Sequence, residues 1–250
     1  SALAAKLTPA TIGTDTGGSG RIPAALNNIV GLKPTCGTLS SHGLVPCCPS
    51  IDCPSIFALS VSDASHIASI MHSSNVSDST LRDQHEFAEF STINTSSVGS
   101  IFYPSVSDLE FFGNFEGQTL YLDFLESLHS KGFKPSSFDF SPLLEAGSLL
   151  FDGAFLADRL SSVGSVLNSS NHPDVLETTT SIISKALSIS GSDVFSDFAR
   201  LKEIKAYAKN LLSHNNIFIF PTVAPLYTIN QVLANPVDLN TNIGHYSYFA

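Results

Sequence analysis

Short apolar runs that read as strands alternate along the chain with longer stretches whose apolar residues recur every three to four positions. Small residues and a leucine from Ser1 to Lys6 read as the end of a helix, and Ala10, Ile12 and Gly13 as a short strand running into a glycine-rich turn. The stretch from Ala24 to Thr35 mixes helical and strand signals until Pro34 stops it. Ser62 or Asp63 is placed to cap a helix carrying Ala64, Ile67, Ala68 and Met71 on one face. Residues 73–97 lack a pattern, are rich in Ser, Asn and Asp, and read as an exposed loop. Val98 to Tyr103 reads as a buried strand. Gly117 to Lys131 reads as an amphipathic helix with Leu120, Phe124, Leu125 and Leu128 inward, closed by Gly132. A further strand is expected at Phe138 to Phe140, helices over Pro142 to Val166, Pro173 to Leu187 and Gly191 to Asn210, and a last buried strand at Ile217 to Phe220, closed by Pro221. Strands alternating with helices predict an α/β domain.

With 250 residues, 43% hydrophobic and 14% charged, the chain can bury a sizeable core as one domain or most of one. Serine supplies much of the polarity, with 39 residues against 34 charged ones. Asp and Glu outnumber Lys and Arg by 22 to 12, and the net charge of −10 repels phosphate backbones and anionic lipid surfaces. Neither nucleic acid nor a membrane is therefore an expected partner, and no apolar run approaches the roughly 18 to 20 residues of a spanning helix. Cys36, Cys47, Cys48 and Cys53 crowd one segment without the paired spacing of a zinc site. They read as buried free thiols of a reducing compartment, so the cytoplasm is the expected location and no metal is expected. The first residues carry no leader pattern and the last ones break off inside an aromatic stretch, so the chain reads as a fragment cut at both ends.

The segment Gly13 to Arg21 reads GTDTGGSGR, and three mechanisms could use such a turn. A phosphate loop needs a lysine before a hydroxyl residue, and none appears until Lys33; a dinucleotide fingerprint needs a third glycine three residues after Gly20, where Pro23 stands. A nucleophile elbow around Ser19 would close on glycine where Arg21 stands. What remains is a serine among glycines whose N–H groups no side chain obstructs, the requirement of an oxyanion hole, with a plain turn as the competing reading. Asp15 and Arg21 could pair across the turn and brace it, or stand solvated. A serine nucleophile also needs a base; His42 and Lys33 are candidates, each against an ordinary surface role.

The run GTDTGGSGRIPAALNNIVGLKPTCGTLS, continued by GLVPCCPSIDCPSIFALSVSDA, resembles the signature region of the amidase signature hydrolases. LEFFG at Leu109 to Gly113, LLFDGAFLADR ending at Arg159, and PTVAPLYTINQVLANPVDLNTNIGHY near the end resemble, within that family, the allophanate hydrolases. The resemblance implies the α/β amidase signature fold, a mixed central β-sheet flanked by helices and here incomplete. It also implies a single domain with a signature region at 1–72, the Ser-rich loop at 73–97 and a substrate-side part at 98–250. Amide hydrolysis is implied, with Ser19 as the acylated nucleophile and the main-chain amides of Thr16, Gly17, Gly18 and Ser19 as oxyanion hole, without cofactor or metal. The proton acceptor would be a second serine and a lysine, both upstream of Ser1, so neither Lys6 nor Lys33 takes that role and this piece alone is expected to be inactive.

By the same resemblance Arg159 matches the arginine that would hold the carboxylate of a small carboxylated urea or amide, a task its forked guanidinium suits. Phe151 stands where the family usually has tyrosine, and the missing hydroxyl removes a substrate hydrogen bond of about 0.5 to 1.5 kcal/mol if one was made. Gly17 stands where the subfamily often has alanine. The resemblance further allows a homodimer and a fusion to, or association with, a biotin-dependent urea carboxylase. Two alternatives stay open: another amidase signature enzyme, of the amidotransferase or fatty acid amide hydrolase kind, which would not need Arg159, and an inactive truncated homologue.

Overall fold

The computed structural model describes residues 2–72, 78, 80–82, 98–168 and 175–250. Along the chain it runs β1 (Ala10–Thr14), α1 (Arg21–Leu26), β2 (Val30–Leu32), β3 (Pro54–Ala58), α2 (Val61–Met71), β4 (Ile101–Pro104), α3 (Phe115–Ser130) and β5 (Ser136–Phe138). There follow α4 (Ser141–Asp152), α5 (Ala154–Asn168), α6 (Glu177–Ser184), α7 (Gly191–Leu211), β6 (Ile217–Phe218), α8 (Ile229–Ala234) and α9 (Pro236–Gly244). Two compact units result, Ser1–Thr92 with Phe155–Ser188, and Ile93–Ala154 with Ile189–Ala250. The Ser-rich stretch 73–97 lies outside the described residues except for Asp78 and residues 80–82, and the start of the helix expected from Pro173 lies outside them too.

In the first unit the helix end expected at Lys6 is a Schellman closure: Leu7 N–H donates to Ala2 O at 3.0 Å and Lys6 N–H to Leu3 O at 2.8 Å. Lys6 takes φ +59, the left-handed conformation such a closure demands. β3 is the middle strand of an antiparallel sheet ordered β1-β3-β2. Its sequence PSIFA is buried at every position but Phe57, as a central strand requires. Ser60, two residues after that strand, caps α2 by accepting from Asp63 N–H at 3.1 Å, two residues before Ser62 and three before Asp63, the two expected caps. The face expected on α2 does pack: Ala64 and Ala68 join Leu39, Ile56 and Ala58, flanked by Ile67, Met71, Val30 and Leu32. Burial of one such isoleucine or leucine stabilises by roughly 1.5 to 3 kcal/mol. Gly31 lets α1 lie close on β2, because a Cβ there would sit 2.6 Å from the Ala24 Cβ and 2.8 Å from Gly20 O.

The second unit holds a parallel sheet ordered β5-β4-β6, with Phe102 opposite Ser136 and Phe218. Parallel and antiparallel pairings are thus both present, in separate three-stranded sheets. Asn114 caps α3 through Gly117 N–H at 3.0 Å, and Gly132, at φ +87, closes it with Phe133 N–H on Leu128 O at 3.0 Å. Leu125 and Leu128 are buried as expected, but Leu120 and Phe124 are 63% and 44% exposed. Tyr121 takes their place, because its phenol donates to Ile219 O at 2.9 Å and turns the helix by one position. The strand expected at Phe138 to Phe140 ends at Phe138; Asp139 instead accepts from Ser141 N–H and hydroxyl at 2.9 and 2.6 Å, starting α4. Apolar periodicity does not predict α8 and α9, although Thr228 and Gln231 form a capping box for the first and Pro236 opens the second. Among the described residues no helix is long and apolar enough to cross a membrane.

Candidate active site

Asp15 leaves β1 and is completely buried. Its carboxylate accepts from Gly18 N–H at 2.5 Å, Arg21 N–H at 3.0 Å, Arg21 Nε at 2.9 Å and Arg21 Nη2 at 3.0 Å, while its own N–H donates to Cys53 O at 2.8 Å. Burial disfavours the charged form, but the Arg21 hydrogen bonds and charge, together with the Gly18 amide, outweigh it and hold the carboxyl below its usual range. The two residues therefore brace the turn from inside; the solvated alternative does not apply, with Asp15 and Arg21 side chains 0% and 19% exposed.

That brace dictates where glycine must stand. Gly18 adopts φ +124, which a residue with a Cβ would reach only under strain. A Cβ on Gly20 would lie 2.6 Å from Ser55 Oγ and 2.7 Å from Ser55 Cβ. Gly18 and Gly20 are buried, and Ser19 between them is exposed at the entry to α1. The sequence therefore presents one hydroxyl on a backbone pinned on both sides. Of the four amides expected to line an oxyanion hole, those of Thr16, Gly17, Gly18 and Ser19, the Gly18 N–H is directed at the Asp15 carboxylate and ties the turn to it.

A second carboxylate holds the other flank. Thr16 Oγ1 donates to Asp52 Oδ1 at 2.5 Å, and Asp52 Oδ2 accepts from Cys47 N–H at 2.8 Å and Cys48 N–H at 3.0 Å. A third, Asp158 on α5, accepts from Cys48 Sγ at 3.2 Å, Ser50 N–H at 3.0 Å and Ser50 Oγ at 2.5 Å. Arg159, the next residue, is half-buried, and its charge reaches both Cys47 and Cys48. Cys47 also meets the Thr16 hydroxyl; burial, with the Asp52 and Asp158 charges, nevertheless pushes its thiol up. Arg159 and the serine turn thus share one neighbourhood through Cys47. Neither Asp52 nor Asp158 stands out in the sequence, where each is a lone acid outside any periodic pattern.

Phe151 belongs to the second unit, where its ring meets Tyr248 edge-on with centroids 4.8 Å apart. Of the two candidate bases, His42 is exposed, with its main-chain N–H on Ser40 Oγ at 3.1 Å, and the Lys33 ammonium donates to Cys36 Sγ at 3.7 Å. All four cysteines are free, but only Cys48 and Cys53 are buried; Cys36 is partly exposed and Cys47 exposed, both outside helix and strand. No group of three His, Cys, Asp or Glu side chains able to hold a metal occurs among the described residues.

A family model described as Amidase matches residues 1–222. The urea amidolyase of Saccharomyces cerevisiae is 35% identical over 254 residues, an alignment that takes in 100% of this chain and 13% of the relative. The crystal structure of the Kluyveromyces lactis urea amidolyase superimposes with a TM-score of 0.87 at 31% identity, covering 100% of this chain and 15% of that one. K. lactis allophanate hydrolase gives 0.86 at 31% identity, over 100% of this chain and 40% of the other. The chain therefore spans about an eighth of the length of the curated relatives it matches.

Proposed function

Because the chain belongs to the amidase family, with an α/β amidase signature fold, we propose that it hydrolyses amide C–N bonds through Ser19 and that its substrate is allophanate. One observation carries the reading: an exposed serine between two buried glycines, on a turn locked by a buried carboxylate and guanidinium. Ser19 Oγ attacks the terminal carbonyl carbon while its proton passes to the second serine and lysine that the reading requires upstream. The negative charge on the carbonyl oxygen falls to the turn amides other than Gly18, where one well-placed donor contributes about 2.7 to 4 kcal/mol. Ammonia leaves with a proton from the same relay, and water then cleaves the acyl-enzyme. The released dicarboxylated amine takes up two protons and decomposes to two molecules of carbon dioxide and a second ammonia.

Arg159 gives the reading its substrate class. A guanidinium whose charge reaches Cys47, the neighbour of the Thr16 hydroxyl, supplies a positive charge suited to a planar carboxylate. We take the complete protein to join this amidase to a biotin-dependent urea carboxylase, as the relatives' name, urea amidolyase, suggests, and to work in the cytoplasm with its thiols reduced. The test is ammonia release from purified full-length protein offered allophanate, biuret, malonamate and a neutral amide. Arg159→Ala should cost about 10- to 100-fold in kcat/KM on the carboxylated substrates, the worth of one charge-assisted hydrogen bond, and little on the neutral amide. Equal loss on the neutral amide would contradict the clamp, and a wild-type preference for the neutral amide would favour another amidase chemistry.

A further inference from the structure

Beside the serine turn the first unit holds a second cluster of reactive groups that amide hydrolysis does not use. Cys36, in the turn after β2, and Cys53, just before β3, each place their thiol on the carbonyl of the residue two positions upstream of the other cysteine. Cys53 Sγ lies 3.2 Å from Pro34 O, and Cys36 Sγ lies 3.4 Å from Ile51 O. The Lys33 ammonium approaches Cys36 Sγ to 3.7 Å, and Arg82 adds a second positive charge near it. Cys36 is partly exposed and Cys53 fully buried.

We propose that Cys36 and Cys53 form an oxidisable dithiol, in which Cys36 reacts with a hydroperoxide and Cys53 resolves the product as an intramolecular disulfide. The arrangement separates the two roles. The accessible sulfur is the one facing two cations, and the sheltered sulfur can be reached only from within. Hydrogen bonding from Cys53 and the Lys33 charge favour the Cys36 thiolate, against the opposing effect of burial, whereas the Cys53 thiol is pushed up. The Cys36 thiolate attacks one peroxide oxygen, the O–O bond breaks, and the departing hydroxide takes a proton from the Lys33 ammonium, leaving a sulfenic acid and water. The Cys53 sulfur then attacks Cys36 Sγ; its proton and the sulfenic hydroxyl leave as a second water. Two thiols have lost two electrons and the peroxide has gained them. The bond would tie the turn after β2 to the residue whose carbonyl receives the Asp15 N–H, one main-chain hydrogen bond away from the serine turn.

Full-length protein treated with a small excess of hydrogen peroxide, blocked with a thiol reagent and digested without reductant, decides the matter. The expected product is one cross-linked pair of peptides bearing Cys36 and Cys53, lacking two hydrogens and lost on reduction, and formed before any change at the exposed Cys47. Cys53→Ser should leave a dimedone-reactive sulfenic acid at Cys36, and Cys36→Ser should leave Cys53 a free thiol. Lys33→Met should slow labelling severalfold and Lys33→Arg should restore it. Recovery of both thiols unmodified under peroxide that oxidises Cys47, or oxidation of Cys53 in the Cys36→Ser protein, would overturn the proposal.

Discussion

The serine turn of the first unit and the aromatic core of the second are ordered by opposite means. Around Ser19, three carboxylates, Asp15, Asp52 and Asp158, each collect N–H, hydroxyl or thiol donors from several loop residues. In the second unit Phe140, fully buried, is ringed by Phe138, Phe220, Tyr246 and Phe249 with centroids between 5.3 and 6.3 Å, and Phe138 stacks on Phe218 at 4.7 Å and 9°. Aromatic contacts are worth about 0.5 to 1.5 kcal/mol each beyond their area and tolerate small shifts. Hydrogen bonds to a buried carboxylate weaken steeply with angle, so they fix positions to tenths of an ångström but fail together when the carboxylate is lost. Directional hydrogen bonds to carboxylates thus order the turn that presents Ser19, and bulk apolar packing orders the core around Phe140.

Substitutions in the full-length protein can break or sharpen that contrast. The largest effect is expected at Ser19→Ala, with loss of kcat on the order of 10⁴-fold or more and an unchanged melting temperature, read by ammonia release and calorimetry. Next comes Asp15→Asn, which leaves Arg21 facing a neutral amide at a buried site and should cost about 3 to 5 kcal/mol of stability, together with most of the activity. Its pH signature has a definite sign. Asp15 titrates below its unfolded value, so its contribution is fully present above the unfolded carboxylate pKa of about 4 and is lost as pH falls through the lower folded value. The wild type should lose stability along that acid limb and the Asn variant should show a shallower one. Phe140→Ala should also cost about 3 to 5 kcal/mol, but with kcat per folded molecule retained, which separates the aromatic core from the site. Gly20→Ala should cost about 1 to 3 kcal/mol by driving a methyl group into Ser55, and should lower kcat because it shifts the residue beside Ser19. Smallest of all, Glu145→Gln, which breaks an exposed pair with Arg200, should leave both the melting curve and the kinetics unchanged.

The same contrast explains what the sequence discloses. The face of α2 and the closure of α3 at Gly132 follow from local periodicity and a single glycine, and both are legible. The serine turn is legible as a candidate from its glycines, and as a nucleophile only through family resemblance. β3 has no counterpart in the sequence reading, because a five-residue strand buried at every position but Phe57 has no polar–apolar alternation to show. The orientation of α3 differs from its periodicity by one position, since it depends on a phenol reaching a carbonyl about a hundred residues away. Asp52 and Asp158 are invisible for the same reason: what makes them important is the set of donors that the fold delivers to them.

The most direct test is to mix full-length protein with allophanate, quench with acid within the first turnover and map the modified peptide by mass spectrometry. The account predicts an acyl group on the peptide containing Ser19, localised to that residue and absent from Ser19→Ala. Turnover with Ser19 unmodified throughout, or an acyl group carried by another side chain, would contradict it.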